Sequence, residues 1–115
     1  MRKIYYLKTC DTSMRILKQI PLESFVLQEI KTEPLTVDQL DEMKDLSGSY
    51  ESLFSRRAKK YKEMGLKDQN LSEKDYKQLI LDHYTFLKRP VIIIDNFISV
   101  GSSKKTIESL LVKIK

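Results

Sequence analysis

The sequence predicts an α/β fold in which a helical block interrupts a mixed four-stranded sheet. Near the N-terminus, two apolar runs flank an apolar stripe with helical spacing, which indicates a strand–helix–strand unit. Near the C-terminus, two short runs separated by a turn precede a helical stripe, which indicates a hairpin and a helix. Between these units the pattern is helical. At 115 residues we expect one domain, 1–115, with a helical insertion at about 36–84.

The N-terminal unit is predicted to place a cysteine at the start of a helix. Lys3 to Leu7 is a short apolar run that ends in polar residues, which indicates a first strand. The polar turn Thr9–Ser13 follows, and Phe25 to Ile30 is the second strand candidate. Cys10 therefore lies in the turn between the first strand and the first helix. That helix ends at Pro21, and its apolar stripe is Ile16, Leu17 and Ile20.

The inserted block is predicted to be helical from its caps and its periodicity. Thr36 and Gln39 have the pattern of a capping box, in which each side chain accepts a hydrogen bond from the other residue's backbone N–H. Two short helices are expected over 50–57 and 58–64, and a longer helix after Ser72 as its N-cap. The apolar faces of the first and last helices are Val37, Leu40 and Met43, and Tyr76, Leu79, Ile80 and His83.

The C-terminal unit is predicted to form a hairpin and a helix. β-branched residues fill Val91 to Ile94, which suits a central strand, and a two-residue turn leads to a partner strand over Phe97–Val100. A β-α-β unit followed by a ββα unit is the thioredoxin/glutaredoxin arrangement. In that fold a reactive cysteine follows the first strand and a cis-proline precedes the third, and Cys10 and Pro90 have these positions. The apolar face of the last helix is Ile107, Leu110, Leu111 and Ile114.

The composition excludes several kinds of site. The chain has one cysteine and one histidine, so it can form neither an intrachain disulfide nor a zinc site built from Cys and His, and we predict no metal site. The longest aliphatic run is far shorter than the roughly 20 residues of a membrane-spanning helix. We therefore expect a cytoplasmic protein without membrane contact, in a compartment where a lone thiol stays reduced.

The charge of the chain is uneven. The formal net charge is +5, and all of it lies in residues 58–115. Such cations can attract an acidic partner, a nucleic acid or a small oxyanion, or they can form a solvated helix face. Proteins that bind single strands interleave aromatic residues with cations, and only Tyr61 does so here, so we expect no direct nucleic-acid binding. The densest cluster is Arg56, Arg57, Lys59, Lys60 and Lys62.

Cys10 has the sequence surroundings of a reactive thiol. The thiolate is the nucleophile, and a free thiol is mostly protonated at pH 7. At a helix N-terminus the unpaired N–H groups and the helix dipole stabilise the anion, here through the amides of Thr12, Ser13 and Met14 and the two hydroxyls. The carboxylate of Asp11 opposes this effect. The alternative, an inert buried cysteine, is expected on an apolar stripe rather than in a polar turn.

Three short motifs recur in one known family: Cys10-Asp11-Thr12-Ser13, Tyr61 with Gly65-Leu66, and Lys88-Arg89-Pro90-Val91. In their order and spacing they resemble the arsenate reductase family, which includes the Spx-type regulators. Each motif alone is weak, but the resemblance spans nearly the whole chain.

The resemblance implies a chemistry centred on one thiol. Family arsenate reductases use a Cys-x-Thr-Ser turn, matched by Cys10, Thr12 and Ser13, whose thiolate attacks arsenate and forms a covalent adduct. Glutathione, with glutaredoxin or thioredoxin, then resolves the adduct and releases arsenite. Glutathione is thus implied as a co-substrate, with no bound cofactor and with a small oxyanion or a disulfide as substrate. A single cysteine suits this route because the resolving thiol is external.

The resemblance also implies an anion site. The best-known members hold the oxyanion with three arginines, and the one before the proline is matched by Arg89. The other two positions fall on Ser55 and Ser102. Arg56 and Arg57 are the cations that can substitute, and other members carry an arginine where Arg57 stands. The residues implied to bind substrate are Thr12, Ser13, Arg56, Arg57, Arg89 and Pro90.

Two other functions stay open beside the oxidoreductase. An Spx-like redox or transcriptional regulator would bind RNA polymerase, through its alpha subunit, with the basic half of the chain. Spx-type regulators usually carry Cys-x-x-Cys as a redox switch, and Ser13 replaces the second cysteine here, so Ser13 favours the oxidoreductase. The third hypothesis is a family member that has lost catalysis, for which Asp11 and the absent arginines argue.

Overall fold

The computed structural model describes all 115 residues, which divide into two compact units. We call Met1–Pro34 with Arg89–Lys115 the sheet unit, and Leu35–Lys88 the helical unit. The helical unit corresponds to the predicted insertion, extended by one residue at its start and four at its end. That the chain forms the single domain expected from its length stays a prediction.

The elements alternate in the order that the sequence predicts, and most boundaries agree within two residues. None of the helices has both the length and the apolar character that a membrane crossing demands. Along the chain the elements are β1 (Arg2–Tyr6), α1 (Asp11–Leu17), β2 (Val26–Glu29), α2 (Val37–Ser47), α3 (Lys59–Glu63), α4 (Glu73–Asp82), β3 (Val91–Ile94), β4 (Phe97–Val100) and α5 (Lys104–Ile114).

The four strands of the sheet unit form one mixed sheet in the order β2-β1-β3-β4. β1 and β2 run parallel, and α1 forms part of the crossover connection that parallel strands need. β3 pairs antiparallel with both β1 and β4, and its two-residue turn to β4 makes the predicted hairpin. The predicted fold class is therefore confirmed: a thioredoxin/glutaredoxin-like arrangement with a helical block between the βαβ and ββα units.

The core of the sheet unit packs the two helices against the two central strands. All four residues of β3 are buried, as its β-branched run predicts for a central strand. Full burial of one aliphatic side chain contributes about 1.5–3 kcal/mol, so this cluster fixes α1 and the turn before it on the sheet. Its buried members are Ile4, Ile16, Leu17, Ile20, Phe25, Ile92, Ile94 and Leu110.

An ion pair joins the turn between β3 and β4 to the N-terminus. The Met1 amine lies 2.7 Å from the Asp95 carboxylate, and the Asp95 N–H donates to the Met1 carbonyl at 2.8 Å. Asp95 has φ 53°, a left-handed conformation that Asp tolerates in tight turns. The turn after β3 is therefore held by side-chain and backbone bonds to the start of β1.

The helical unit is organised around the buried ring of Phe54. Its centroid lies 4.9 Å from those of Phe86 and Tyr76 and 6.1 Å from that of Tyr61, with Phe86 stacked and the tyrosines edge-on. Such ring pairs add about 0.5–1.5 kcal/mol beyond burial. The Phe54 backbone is extended and forms a β-bridge with Leu87.

The predicted helix over 50–57 is wrong. Only Glu51–Leu53 forms a single 3-10 turn, and Phe54 is already extended. The cause is a contact with a distant segment, since the Ser55 N–H donates to the Phe86 carbonyl at 2.6 Å. A helix would have used that N–H within its own turns.

Both predicted N-caps are present, but two apolar faces differ from the prediction. Thr36 and Ser72 each form a complete capping box. Val37 is exposed because it is the first residue of α2, at the end of the predicted face. α4 ends at Asp82, so the extended His83 caps it instead of lying on its apolar face.

Candidate functional site

The backbone around Cys10 forms a tight turn that leads directly into α1. The Cys10 N–H donates to the Leu7 carbonyl at 3.0 Å, which closes the turn. The Cys10 carbonyl accepts from the Met14 N–H at 3.1 Å, which begins the helix. With φ −94° and ψ 106°, Cys10 has the extended backbone of an N-cap residue. Its predicted place at the N-terminus of the first helix is therefore confirmed.

Ser13, the third residue of α1, supplies two groups to the Cys10 sulfur. Its side chain is fully buried, and its hydroxyl and backbone N–H both interact with the thiolate. Yet Ser13 Oγ makes no hydrogen bond of ordinary geometry in the protein. The Ser13 hydroxyl therefore lies close enough to the sulfur to lower the thiol pKa, but the two groups do not form a well-aligned hydrogen bond.

Arg89 brings a cation to the same sulfur from the other half of the sheet unit. It lies two residues before the start of β3, is half-buried, and interacts with Cys10 through a hydrogen bond and through its charge. The Arg89–Pro90 peptide bond is cis, as the fold predicts. Pro90 is buried, and its carbonyl accepts from the Gly101 N–H at 3.0 Å.

These neighbours hold the pKa of the Cys10 thiol below its ordinary value. Partial burial is the largest single influence, and it raises the pKa because it penalises the anion. The Ser13 hydroxyl, the Ser13 N–H and the Arg89 guanidinium together outweigh it. The site therefore favours the thiolate, the form of cysteine that attacks electrophiles.

The other residues of the turn differ in part from the prediction. The Met14 N–H, expected to face the sulfur, is used by the Cys10 carbonyl in the first bond of α1. Asp11 is exposed, and Thr12 is half-buried beside the site. The role of Thr12 in substrate binding stays a prediction.

The two arginines expected to supply further cations belong to the helical unit. The Arg56 guanidinium donates to the Glu51 carboxylate at 2.8 Å and to the Tyr76 hydroxyl at 3.1 Å. Glu51 raises the pKa of Arg56 and compensates part of its charge. Arg57 is exposed and forms no ion pair. The roles of both in substrate binding stay predictions.

Glu29 is a residue near Cys10 that the sequence analysis did not single out. Its carboxylate accepts the Lys8 N–H at 2.9 Å, in the turn that carries Cys10. Nothing local in the sequence indicates this contact, because it depends on β1 and β2 ending side by side. Only the register of the sheet makes it visible.

Comparison with known proteins gives one family. The ArsC family model matches residues 5–110 of this chain. The arsenate reductase of Neisseria meningitidis serogroup B is 26% identical over 117 residues, covering 95% of this chain and 97% of that protein. The global transcriptional regulator Spx of Bacillus subtilis is 26% identical over 88 residues, covering 76% of this chain and 67% of that protein.

Solved structures agree on the fold. The arsenate reductase from Vibrio cholerae superimposes with a TM-score of 0.74 at 20% identity, covering 99% of this chain and 97% of that one. The family is shown by the match of the ArsC family model over residues 5–110, which covers most of the chain. The chain belongs to the ArsC family.

Proposed function

We propose that this chain is a thiol-dependent oxidoreductase in which Cys10 is the nucleophile. The observation that carries the proposal is the convergence of Ser13 and Arg89 on the Cys10 sulfur, which lowers the thiol pKa despite partial burial. A lowered pKa raises the fraction of reactive thiolate at neutral pH. A cysteine that only fills space gains nothing from a cation and two hydrogen-bond donors at its sulfur.

Arsenate is the substrate that we propose, supported by the likeness to the arsenate reductase of Neisseria meningitidis. The Cys10 thiolate attacks arsenic and forms a sulfur–arsenic bond, while one arsenic–oxygen bond breaks and its oxygen leaves as water after protonation. Arg89 lies beside the sulfur, where it pairs with the charge of the bound oxyanion. The Ser13 N–H supplies a further donor at the same place.

The electrons must come from outside the chain, because reduction of arsenate to arsenite takes two and Cys10 is the only thiol. We propose that glutathione, acting with glutaredoxin or thioredoxin, supplies them. One hydrogen arsenate dianion, two thiols and two protons yield one arsenous acid, one disulfide and one water. Cys10 returns to its thiol form at the end of the cycle.

An activity assay tests the substrate. Arsenate reduction is followed with glutathione and glutaredoxin for the unmodified chain, Cys10→Ser and Arg89→Gln. We expect no turnover in Cys10→Ser, and a drop of about ten- to a hundredfold in kcat/KM for Arg89→Gln, since a charge-assisted pair contributes about 1.5–3 kcal/mol. Equal rates for Cys10→Ser and the unmodified chain would overturn the proposal. Turnover of a glutathione mixed disulfide but not of arsenate would mean that the substrate is a disulfide and not arsenate.

A thiol titration tests the nucleophile independently of any substrate. Because Cys10 is the only cysteine, the rate of iodoacetamide alkylation against pH reports its pKa alone. We expect a value below the roughly 8.5 of a free cysteine, and a higher value in Arg89→Gln. Arg15→Gln removes an exposed cation from the last turn of α1 and should leave the profile unchanged. An ordinary pKa in the unmodified chain contradicts the proposed role.

A second candidate function is transcriptional regulation, favoured by the likeness to Spx of Bacillus subtilis. The chain would then bind RNA polymerase through its alpha subunit. Its one thiol cannot form an intrachain disulfide, so a redox response would need oxidation of that sulfur or a disulfide with a second molecule. Binding of the purified alpha subunit, measured beside the arsenate assay, separates the two. Binding that Cys10→Ser retains, with no turnover, selects the regulator; neither binding nor turnover selects a member that has lost catalysis.

A further inference from the structure

We propose that Glu29 is a positioning residue for Cys10: its carboxylate holds the turn that presents the sulfur, by bridging the ends of two neighbouring parallel strands. The proposal rests on the proposed role of Cys10 as nucleophile. It concerns the backbone that carries the thiol, whereas Ser13 and Arg89 act on the sulfur itself.

The bridge follows from the sheet register. Glu29 is the last residue of β2 and lies opposite Tyr6, the last residue of β1. Because the strands are parallel, the segments that follow β1 and β2 both leave the sheet at the same end of the strands. Glu29 Oε2 accepts the Lys8 N–H at 2.9 Å on the β1 side. Glu29 Oε1 accepts the Lys31 N–H at 3.1 Å, and the Thr32 N–H and hydroxyl at 2.9 Å and 3.1 Å, on the β2 side.

The bond to Lys8 matters because Lys8 is inside the turn that carries Cys10. That turn is closed by the Cys10 N–H on the Leu7 carbonyl at 3.0 Å, and Lys8 follows Leu7 directly. Glu29 therefore fixes the middle of a turn whose end is the N-cap of α1. The position of the sulfur relative to the Ser13 N–H depends on the backbone of that N-cap, so a looser turn weakens the donors that favour the thiolate.

The charge of Glu29 is suited to this role. The Lys8 N–H is the largest influence and lowers the pKa of Glu29, burial opposes it, and the groups of Thr32 and Lys31 add to the lowering, so the pKa lies below its usual range. The carboxylate is thus ionised at neutral pH, and bonds to an ionised acceptor are about twice as strong as neutral ones. Glu33, four residues on, is exposed and its carboxylate makes no such bonds, which provides a matched control.

The experiment compares Glu29→Ala, Glu29→Gln and Glu33→Ala by the pH profile of Cys10 alkylation. We expect the ratio of the rate at pH 6 to the rate at pH 10 to fall about threefold or more in Glu29→Ala, because the thiol pKa rises while the fully ionised thiolate reacts as before. Glu29→Gln keeps one acceptor oxygen and should recover part of the loss. Glu33→Ala should match the unmodified chain.

If the role of Glu29 is merely structural, Glu29→Ala will lower the urea midpoint and leave this rate ratio unchanged, and that result would overturn the proposal. An equal change of the ratio in Glu33→Ala would also overturn it.

Amide hydrogen exchange in the unmodified chain gives a test that needs no variant. We expect the Lys8 amide to exchange at least about tenfold more slowly than that of its exposed neighbour Thr9. Equal exchange at the two amides would also overturn it.

These readouts separate this proposal from the proposed function. If Cys10 of the unmodified chain titrates ordinarily, the nucleophile assignment fails, while slow exchange of the Lys8 amide still supports the bridge. If the thiol pKa is low and insensitive to Glu29, the nucleophile stands and the positioning role fails.

Discussion

The reactivity proposed for Cys10 depends on a balance at one sulfur atom. Burial raises the pKa of the thiol, and the groups of Ser13 and Arg89 lower it by more. Ser13 carries a cost in this arrangement, since a buried hydroxyl without a good partner is destabilising by about 1–3 kcal/mol. Ser13 therefore suits the form of the folded chain in which Cys10 is a thiolate better than the form in which Cys10 is a neutral thiol.

We therefore predict that Ser13→Ala makes the thiol less reactive without weakening the fold. Alkylation of Cys10 at pH 6 should slow about two- to tenfold, the range expected for one lost hydrogen bond, and the rate at pH 10 should be unchanged. The free energy of unfolding in urea should stay the same or rise, because the substitution removes a poorly paired buried hydroxyl. Ser99→Ala, at a buried serine of β4, serves as the control for reactivity. A clear loss of stability in Ser13→Ala together with an unchanged pH profile would contradict this interpretation.

At this scale the sequence indicates the candidate reactive thiol but not the groups that position it. Cys10 and Arg89–Pro90 were predictable because their motifs are local and because the order of the elements determines their place. Glu29 was not, because its contact with Lys8 needs the register of two strands more than 20 residues apart. The expectation that the Met14 N–H faces the sulfur failed because the helix uses that group itself.

At the scale of elements, the sequence predicts correctly those features whose partners are near in sequence. It fails where a backbone pairing with a distant segment decides the structure. The capping box at Thr36 and the N-cap at Ser72 form as predicted because all their partners lie within three residues. The helix predicted over 50–57 is absent because the backbone around Phe54 pairs with residues more than 30 positions later. Propensity could not show this, since the competing partner is distant in sequence.

The cap of α2 gives a direct prediction of stability. Thr36 Oγ1 accepts the Gln39 N–H at 3.1 Å, and the Gln39 side chain accepts the Thr36 N–H at 3.1 Å. Thr36→Ala removes the first bond and should lower the free energy of unfolding by about 0.5–2 kcal/mol, whereas Thr36→Ser keeps the hydroxyl and should cost less than half of that. Urea denaturation followed by circular dichroism measures both. An equal loss for the two substitutions would mean that the methyl group of Thr36, and not its hydroxyl, stabilises the helix.

For the whole molecule, the two compact units divide the charge differently from the two halves of the sequence. The sheet unit has eleven Lys and Arg against six Asp and Glu, and the helical unit has ten of each. The unit that carries Cys10 therefore holds the entire net charge of +5. A cationic surface raises the local concentration of small anions, which suits the oxyanion substrate that we propose.

Some carboxyl groups in each unit are stabilised in their ionised form by contacts that exist only in the folded chain. Four carboxyl groups have pKa values below their usual range: Asp41 mainly through the Tyr50 hydroxyl, and Asp75 mainly through the Ser72 backbone N–H. In the sheet unit the N-terminal amine does this for Asp95. The fourth group is Glu29, held by backbone N–H groups. All four bind protons less readily in the folded chain than in the unfolded one.

This difference sets the direction of the pH dependence of stability. The unfolded carboxyl groups titrate near about 4, so their contribution is fully present above that pH and is lost as the pH falls through the lower folded values. We predict that the urea midpoint is nearly constant from pH 7 to pH 5 and drops steadily from about pH 4 downward. Asp75→Asn should lower the midpoint at pH 7 and make its fall at acid pH shallower, because one of the four groups no longer titrates. A midpoint that stays level or rises between pH 4 and pH 2.5 would show that these carboxylates do not stabilise the fold.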